Sequence, residues 1–227
     1  ICDAILRAGQ LPAESLVPPG MVGFPPEGAA PALTGSFDPE KARKLLADAG
    51  FPGGKGLPTI TLLYNDLEAH KTIAERVMHD WQKHLGIDVE LKEQEWGAYL
   101  DSIHNMDYMV ARSAWVGDYP DPNTFLDMFV TDGTNNETGW GSKEYDEMIA
   151  KAATTDDPIE RMKALHRAEQ IFVEEVPVIP LYFYVSNNMV ATHVDGFYSN
   201  LLDIHPLHHL RVDPKKKARL QEGTKAP

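Results

Sequence analysis

Cysteine is nearly missing from this chain: 227 residues carry only Cys2, so no internal disulfide can form. A disulfide framework is thereby excluded as the source of stability. Low cysteine use fits the cytosol and fits large bacterial periplasmic proteins equally, so composition leaves the compartment open. No apolar run approaches the ~20 residues that a membrane-spanning helix requires. Basic residues are in deficit as well, 21 Lys and Arg against 34 Asp and Glu, for a formal charge of −13. That sign repels phosphate backbones, and nucleic acid is not expected as a partner. Nucleophile and phosphate signatures are also lacking, with no G-x-S-x-G, no H-E-x-x-H and no Walker-type loop. Gly53-Gly54-Lys55-Gly56 is basic and glycine-rich, but it precedes a strand instead of opening a helix, so a plain turn is expected there.

What the chain does have is an ordinary globular composition. Hydrophobic residues make up 43% and charged residues 24%, enough to bury one substantial core or two small ones and too apolar for wholesale disorder. Ile1, Ile5 and Leu6 share a helical face with Gly9 as C-cap, which reads as the last turns of a helix begun upstream. Residues 10–37, with Pro18-Pro19-Gly20 and Pro25-Pro26, read as an extended surface segment. Asp38 and Pro39 mark a helix start, Ala42, Leu45, Leu46 and Ala49 its apolar face, and Gly50 its end.

An alternating series follows. Thr59 to Tyr64 predicts a strand, and Leu67 to Leu85 a helix stopped by Gly86. Ile87, Val89 and Leu91 predict a half-buried strand, Trp96, Tyr99, Leu100 and Ile103 a short helix, and Tyr108 to Ala111 another strand. Strand–helix–strand–helix–strand is the pattern of an α/β layer. Pro122 then opens a short helix, and the polar stretch Thr131 to Gly141 is a loop of turn formers. Two helices come next, one capped by Ser142 and one starting at Asp157-Pro158 with Glu160 completing a capping box. Val178 to Val185 and Met189 to Val194 read as strands, and residues 214–227 as a flexible, solvated basic tail.

Among candidate sites the histidines come first. His205, His208 and His209 cluster, but Pro206 breaks any helical spacing and no Cys or acidic residue stands beside them at zinc-site spacing, so no metal is expected. His79 and His84 lie about 500° apart around a helix at 3.6 residues per turn and share no face. The informative stretch is Arg112-Ser113-Ala114-Trp115-Val116-Gly117-Asp118-Tyr119-Pro120-Asp121-Pro122. It begins at the C-terminal end of a predicted strand, where ligands collect in open α/β sheets. It concentrates an Arg, a Trp, a Tyr and two carboxylates, suited to polar recognition. Structural duties are open to the same residues: Asp121 as N-cap of the following helix, Trp115 as core. Asp118 and Asp121, three residues apart in a proline-bound loop, have no defined shared geometry for acid–base chemistry, and an enzyme is not expected.

The W-x-x-D-Y-x-x-P run at Trp115 to Pro122, followed by Asn123-Thr124-Phe125-Leu126, resembles the peptide-binding solute-binding proteins of ABC importers, extracellular solute-binding family 5. Leu6 to Ala13 with Pro18-Pro19-Gly20, the Asp38 to Gly50 helix, and Val176 to Tyr184 resemble further family segments in the same order, and the likeness runs to about Val212. The resemblance implies an α/β, periplasmic-binding-protein-like (type II) lobe, a mixed sheet flanked by helices. It assigns residues 1–188 to a C-terminal ligand-binding lobe and 189–213 to strands returning to an N-terminal lobe missing from this chain. It implies a monomeric receptor without cofactor, periplasmic or otherwise extracytoplasmic and often lipid-anchored, that captures short peptides and delivers them to an ABC permease. Asp118 aligns with the carboxylate that receives a peptide's α-ammonium, Trp115 with an aromatic contact, Arg112 with an arginine for the peptide carboxylate, and Tyr184 with a ligand-facing tyrosine. The family also takes oligosaccharides, metal chelates and opine-like compounds. A receptor for one of those, or a sensory receptor, is the alternative.

Overall fold

The structure is a computed structural model that describes residues 1–31, 37–200 and 202–217. It opens with a π-helical turn, Cys2–Leu6. In chain order there follow β1 (Leu11–Pro12), α1 (Pro39–Asp48), β2 (Ile60–Asn65), α2 (Glu68–Leu85), β3 (Val89–Gln94), α3 (Trp96–His104) and β4 (Val110–Ala111). Next come α4 (Asn123–Leu126), α5 (Lys143–Thr154), α6 (Pro158–Glu175), β5 (Tyr182–Phe183), β6 (Val194–Asp195) and β7 (Arg211–Val212).

Strands β2, β3 and β4 form one parallel sheet in the order β3-β2-β4, as the α/β pattern predicts. Alternation along β2 sends successive side chains to opposite faces. Leu62 and Tyr64 pack with Ala74, Ile87 and Val89 on the side covered by α1 and α2. Leu63 turns the other way, onto Tyr99 and Ile103 of α3. Both faces of the central strand are therefore buried, the usual condition of parallel strands. A second core lies between α5 and α6, where Leu126, Phe129, Tyr145, Ile149, Leu165 and Phe172 meet.

The helix boundaries follow local chemistry. The Asp38 carboxylate accepts from the Glu40 and Lys41 N–H groups, and Asp157 does the same for Ile159 and Glu160. Helix α2 ends at Gly86, at φ 69°. A Cβ there would lie 2.6 Å from the Gly53 carbonyl oxygen. Gly86→Ala is thus doubly opposed, by the left-handed backbone and by that contact, and should cost about 1–3 kcal/mol. An unchanged urea midpoint would contradict this.

Several expectations need correction. The first helical turn is closed by Arg7 at φ 52°, not by Gly9. Ser142 stands at the N-cap of α5 without a side-chain cap bond. Glu160 turns outward to Lys163, 2.8 Å away, so the capping box does not form. Leu45, Trp96 and Leu100 are exposed, because helical phase points Leu46, Tyr99 and Ile103 at the sheet instead. The late strands are far shorter than the apolar runs suggest. Only Tyr182–Phe183 pairs, with β1, and only Val194–Asp195, with β7. A strand needs a partner edge, which residue alternation does not supply. Residues 214–217 form an exposed helical turn, with the Lys215 and Lys216 N–H groups on the Asp213 carboxylate. The rest of the expected tail, 218–227, lies outside the described residues.

The proline segment departs most. Within residues 10–31, Val17 and Met21 are 4% and 5% exposed and belong to the α5–α6 core. Their stretch is a strap laid along α6. The Leu16 and Val17 N–H groups donate to Glu169 Oε1 at 3.2 and 2.8 Å, and His166 Nε2–H donates to the Ala30 carbonyl at 2.8 Å. Residues 32–36 of the same segment lie outside the described residues.

Candidate functional site

The carboxyl ends of the three parallel strands bring Asn65, Gln94 and Arg112 to one edge of the sheet. The Arg112 N–H continues the ladder by donating to the Leu63 carbonyl at 2.8 Å, so its side chain starts from a fixed backbone. Its Nη2 donates to the Tyr184 hydroxyl, and the guanidinium carbon lies 5.9 Å from the centre of that ring. The β1–β5 ribbon, with Tyr182 5.2 Å from Tyr184 ring to ring, delivers these two tyrosines to the edge. Tyr99 of α3 closes the group by donating to the Arg112 carbonyl at 2.5 Å.

His70, in the first turn of α2, is buried at the same edge, with Nδ1 2.8 Å from Asn65 Oδ1. Burial, and then the Arg112 charge, pull its pKa below the ordinary 6.5, which keeps the imidazole neutral at pH 7. His70 and Asn65 were not picked out by sequence reasoning. The strand-end rule that singled out residues 112–122 applies equally to the end of β2 and would have found them.

From Arg112 the chain runs through the 113–122 loop. The Trp115 indole N–H donates to the Thr124 carbonyl at 2.8 Å, and the Asp118 backbone N–H donates to Thr124 Oγ1 at 3.0 Å. Thr124, 2% exposed, thus holds both residues from beneath. Pro122, not Asp121, stands at the N-cap of α4, and Asp121 serves the helix start from one residue earlier. It accepts from the Asn123 N–H at 2.9 Å and takes a two-pronged contact from Arg161 of α6, 2.8 Å on each oxygen. That fork holds the Asp121 carboxyl below the usual carboxylate range. Burial, with Asp118 and Asp121 nearby, pushes Asp127 the other way.

The structure therefore joins Arg112 to Tyr184 and sets Trp115 and Asp118 on one threonine, with no direct bond between the two pairs among the described residues. The Asp118 side chain is exposed and makes no hydrogen bond or ion pair among those residues. Trp115 is half-buried with its one donor used internally. Of the histidine cluster, His205 Nε2 pairs with Asp203 at 2.6 Å and stacks on Phe197, while His208 and His209 lean on each other. Among the described residues no group of three His, Cys, Asp or Glu side chains is placed to hold a metal ion, and no helix is long and apolar enough to cross a membrane.

A covered parallel sheet with polar groups gathered at its carboxyl edge, closed by a two-stranded ribbon, is an α/β lobe of the periplasmic-binding-protein kind. Comparison with known proteins agrees. The model of bacterial extracellular solute-binding proteins, family 5 (middle region), matches residues 1–137. The oligopeptide-binding protein OppA of Bacillus subtilis (strain 168) is 39% identical over 199 residues, which is 86% of this chain and 36% of that protein. The periplasmic oligopeptide-binding protein OppA of Salmonella typhimurium is 36% identical over 200 residues, 87% of this chain and 36% of that protein. The solved structure of Haemophilus influenzae OppA in complex with RPPGFSPFR matches with a TM-score of 0.78 at 31% identity, covering 92% of this chain and 42% of that one. The chain belongs to family 5 of the bacterial extracellular solute-binding proteins. It spans 36% of the length of the two curated relatives.

Proposed function

We propose that this chain is one lobe of a peptide receptor for an ABC importer, which binds short peptides between two lobes and delivers them to a membrane permease. The observation that carries this reading is the Asp118 carboxylate, exposed and without a partner among the described residues, on a loop that leaves the sheet's carboxyl edge while its backbone is tied to Thr124. An acceptor left without partners, on a fixed backbone, suits capture of a peptide's α-ammonium. Arg112, held by Tyr184, offers a planar fork for the peptide's carboxylate, and Trp115 and Tyr184 offer aromatic surface. Residues 1–188 make up the ligand-binding lobe, 189–213 lead toward the second lobe, and 214–227 are a basic tail. The ligand stabilises a closed arrangement of the two lobes. No covalent step is required, so the receptor is not an enzyme. It acts as a monomer outside the inner membrane, with no cofactor and no nucleic acid partner. Support for the peptide class comes from the relatives' names and from the peptide in the Haemophilus influenzae complex.

Calorimetric titration of the whole two-lobed protein with a tripeptide and its N-acetylated form tests the reading. Tight binding of the free peptide with weak binding of the acetylated one is expected. Equal binding of both removes Asp118 from its role. Binding of neither overturns the peptide assignment in favour of an oligosaccharide, a metal chelate or an opine-like solute.

A further inference from the structure

Asp118 shares its loop with Asp121, and a third carboxylate, Asp127, follows just beyond α4. An ammonium approaching this loop meets one partner only if the other two are occupied and the backbone between them is fixed. Asp127 is engaged by its own helix neighbourhood, with Asn123 Nδ2 donating to it at 2.8 Å and the Tyr119 hydroxyl at 3.3 Å. Asp121 is engaged from outside the loop. Arg161, near the start of α6 and 40 residues along the chain, donates through both terminal nitrogens to both of its oxygens. Both side chains are 27% exposed, so the pair is largely shielded from solvent. A two-pronged contact fixes the carboxylate's plane as well as its distance, which a single-point contact does not. It clamps the loop three residues beyond Asp118, while Thr124 clamps Asp118 itself.

We infer that Arg161 is a positioning residue for ligand capture: by clamping and neutralising Asp121 it leaves Asp118 as the loop's one free, correctly placed carboxylate. This rests on the amine-capture reading of Asp118. Arg161 touches no ligand in this scheme. Its effect passes through Asp121 and the backbone that joins Asp121 to Asp118. Without it, the loop has a second uncommitted anion and a freer backbone, and an ammonium is shared between two sites, neither at optimal geometry.

The test uses the whole two-lobed protein, titrated with a tripeptide and its N-acetylated form, in wild type, Arg161→Met and Arg161→Lys. Arg161→Met should raise the Kd of the free peptide about tenfold to a hundredfold, as small misplacements of a fixed group do, while the Kd of the acetylated peptide stays within about twofold. Arg161→Lys, which keeps the charge and loses the fork, should fall between. Asp121→Asn loses the fork but leaves no second anion, so it should lower the free-to-acetylated preference by less than Arg161→Met does, and it tests the clamp if Arg161→Met does not fold; an unchanged preference in Asp121→Asn overturns the clamp. A merely structural role would move both ligands' Kd together or lower the melting temperature alone, and either result overturns the inference. A discriminating wild type with variants that discriminate equally well overturns this inference and leaves amine capture standing. A wild type that binds both peptides alike sinks amine capture, and this inference with it.

Discussion

Replacing Asp118 by Asn should raise the Kd of a free tripeptide by roughly thirtyfold to several thousandfold, the equivalent of about 2–5 kcal/mol for removing one partner of a buried charge pair. The substitution keeps size and shape and removes only the charge. The Asp118 backbone N–H still reaches Thr124 Oγ1 at 3.0 Å, so the loop is expected to hold its course. An α-ammonium brought into a closed cleft would then face a neutral amide and retain most of its desolvation cost. The N-acetylated peptide carries no such charge and should bind both proteins alike. Titration calorimetry on the two proteins with the two ligands gives four constants, and their cross-ratio isolates the ammonium–carboxylate interaction. A cross-ratio near one would remove Asp118 from the binding scheme.

The second large effect concerns stability and pH. Glu169 is 2% exposed, and burial pushes its carboxyl from the ordinary 4.5 up to about 7 despite the two strap N–H groups that favour its charged form. The folded state thus holds a proton that the unfolded chain releases near pH 4.5. The contribution of this group is therefore fully present below about pH 4.5 and is lost as pH rises through about 7, an amount on the order of 3 kcal/mol. Glu169→Gln should remove that loss. Its amide oxygen can still accept from Leu16 and Val17, and it has no charge to desolvate. Urea denaturation at pH 5 and pH 8 should show wild type losing stability relative to the variant by up to about 3 kcal/mol across that interval. A difference that does not change with pH would show that Glu169 is not protonated in the folded protein. Glu169→Leu serves as a contrast, since it strands the buried Val17 N–H and the part-buried Leu16 N–H and should destabilise at both pH values.

Much of the fold is legible in the sequence, and the part that is legible is local. Asp38-Pro39, Asp157-Pro158 and Gly86 mark helix boundaries through bonds and dihedrals that span a few residues. The β2 strand shows as a β-branched and apolar run and β3 in its alternation, and the parallel sheet follows from their order with the helices. Less legible are features settled by distant partners. Val17 and Met21 stand singly among prolines and glycines, so no period announces that they are core. The late apolar runs look like strands at every residue, yet pairing ends where the partner edge ends. The candidate site divides the same way. Loop 112–122 stands out by composition and by its place after a strand. The contact of Arg112 with Tyr184 spans 72 residues, beyond any spacing rule, and only the family resemblance brought both to one ligand. Arg161 stands one turn before the buried Ala164 and Leu165 of α6, and nothing near it in sequence points to Asp121.

The sheet order has a further consequence for self-association. With β3 outermost, one row of its backbone donors and acceptors has no strand to pair with in the described structure. Such a row is a template for a neighbouring chain, and intermolecular growth would begin there. The strand that occupies this position reads Val-Glu-Leu-Lys-Glu-Gln, with Glu90, Lys92 and Glu93 among its six residues. A second copy adding alongside would have to seat its own strand against those charges. The side chains that make β3 a poor core strand also make it a safe outer one, resistant to the aggregation that an apolar margin would invite.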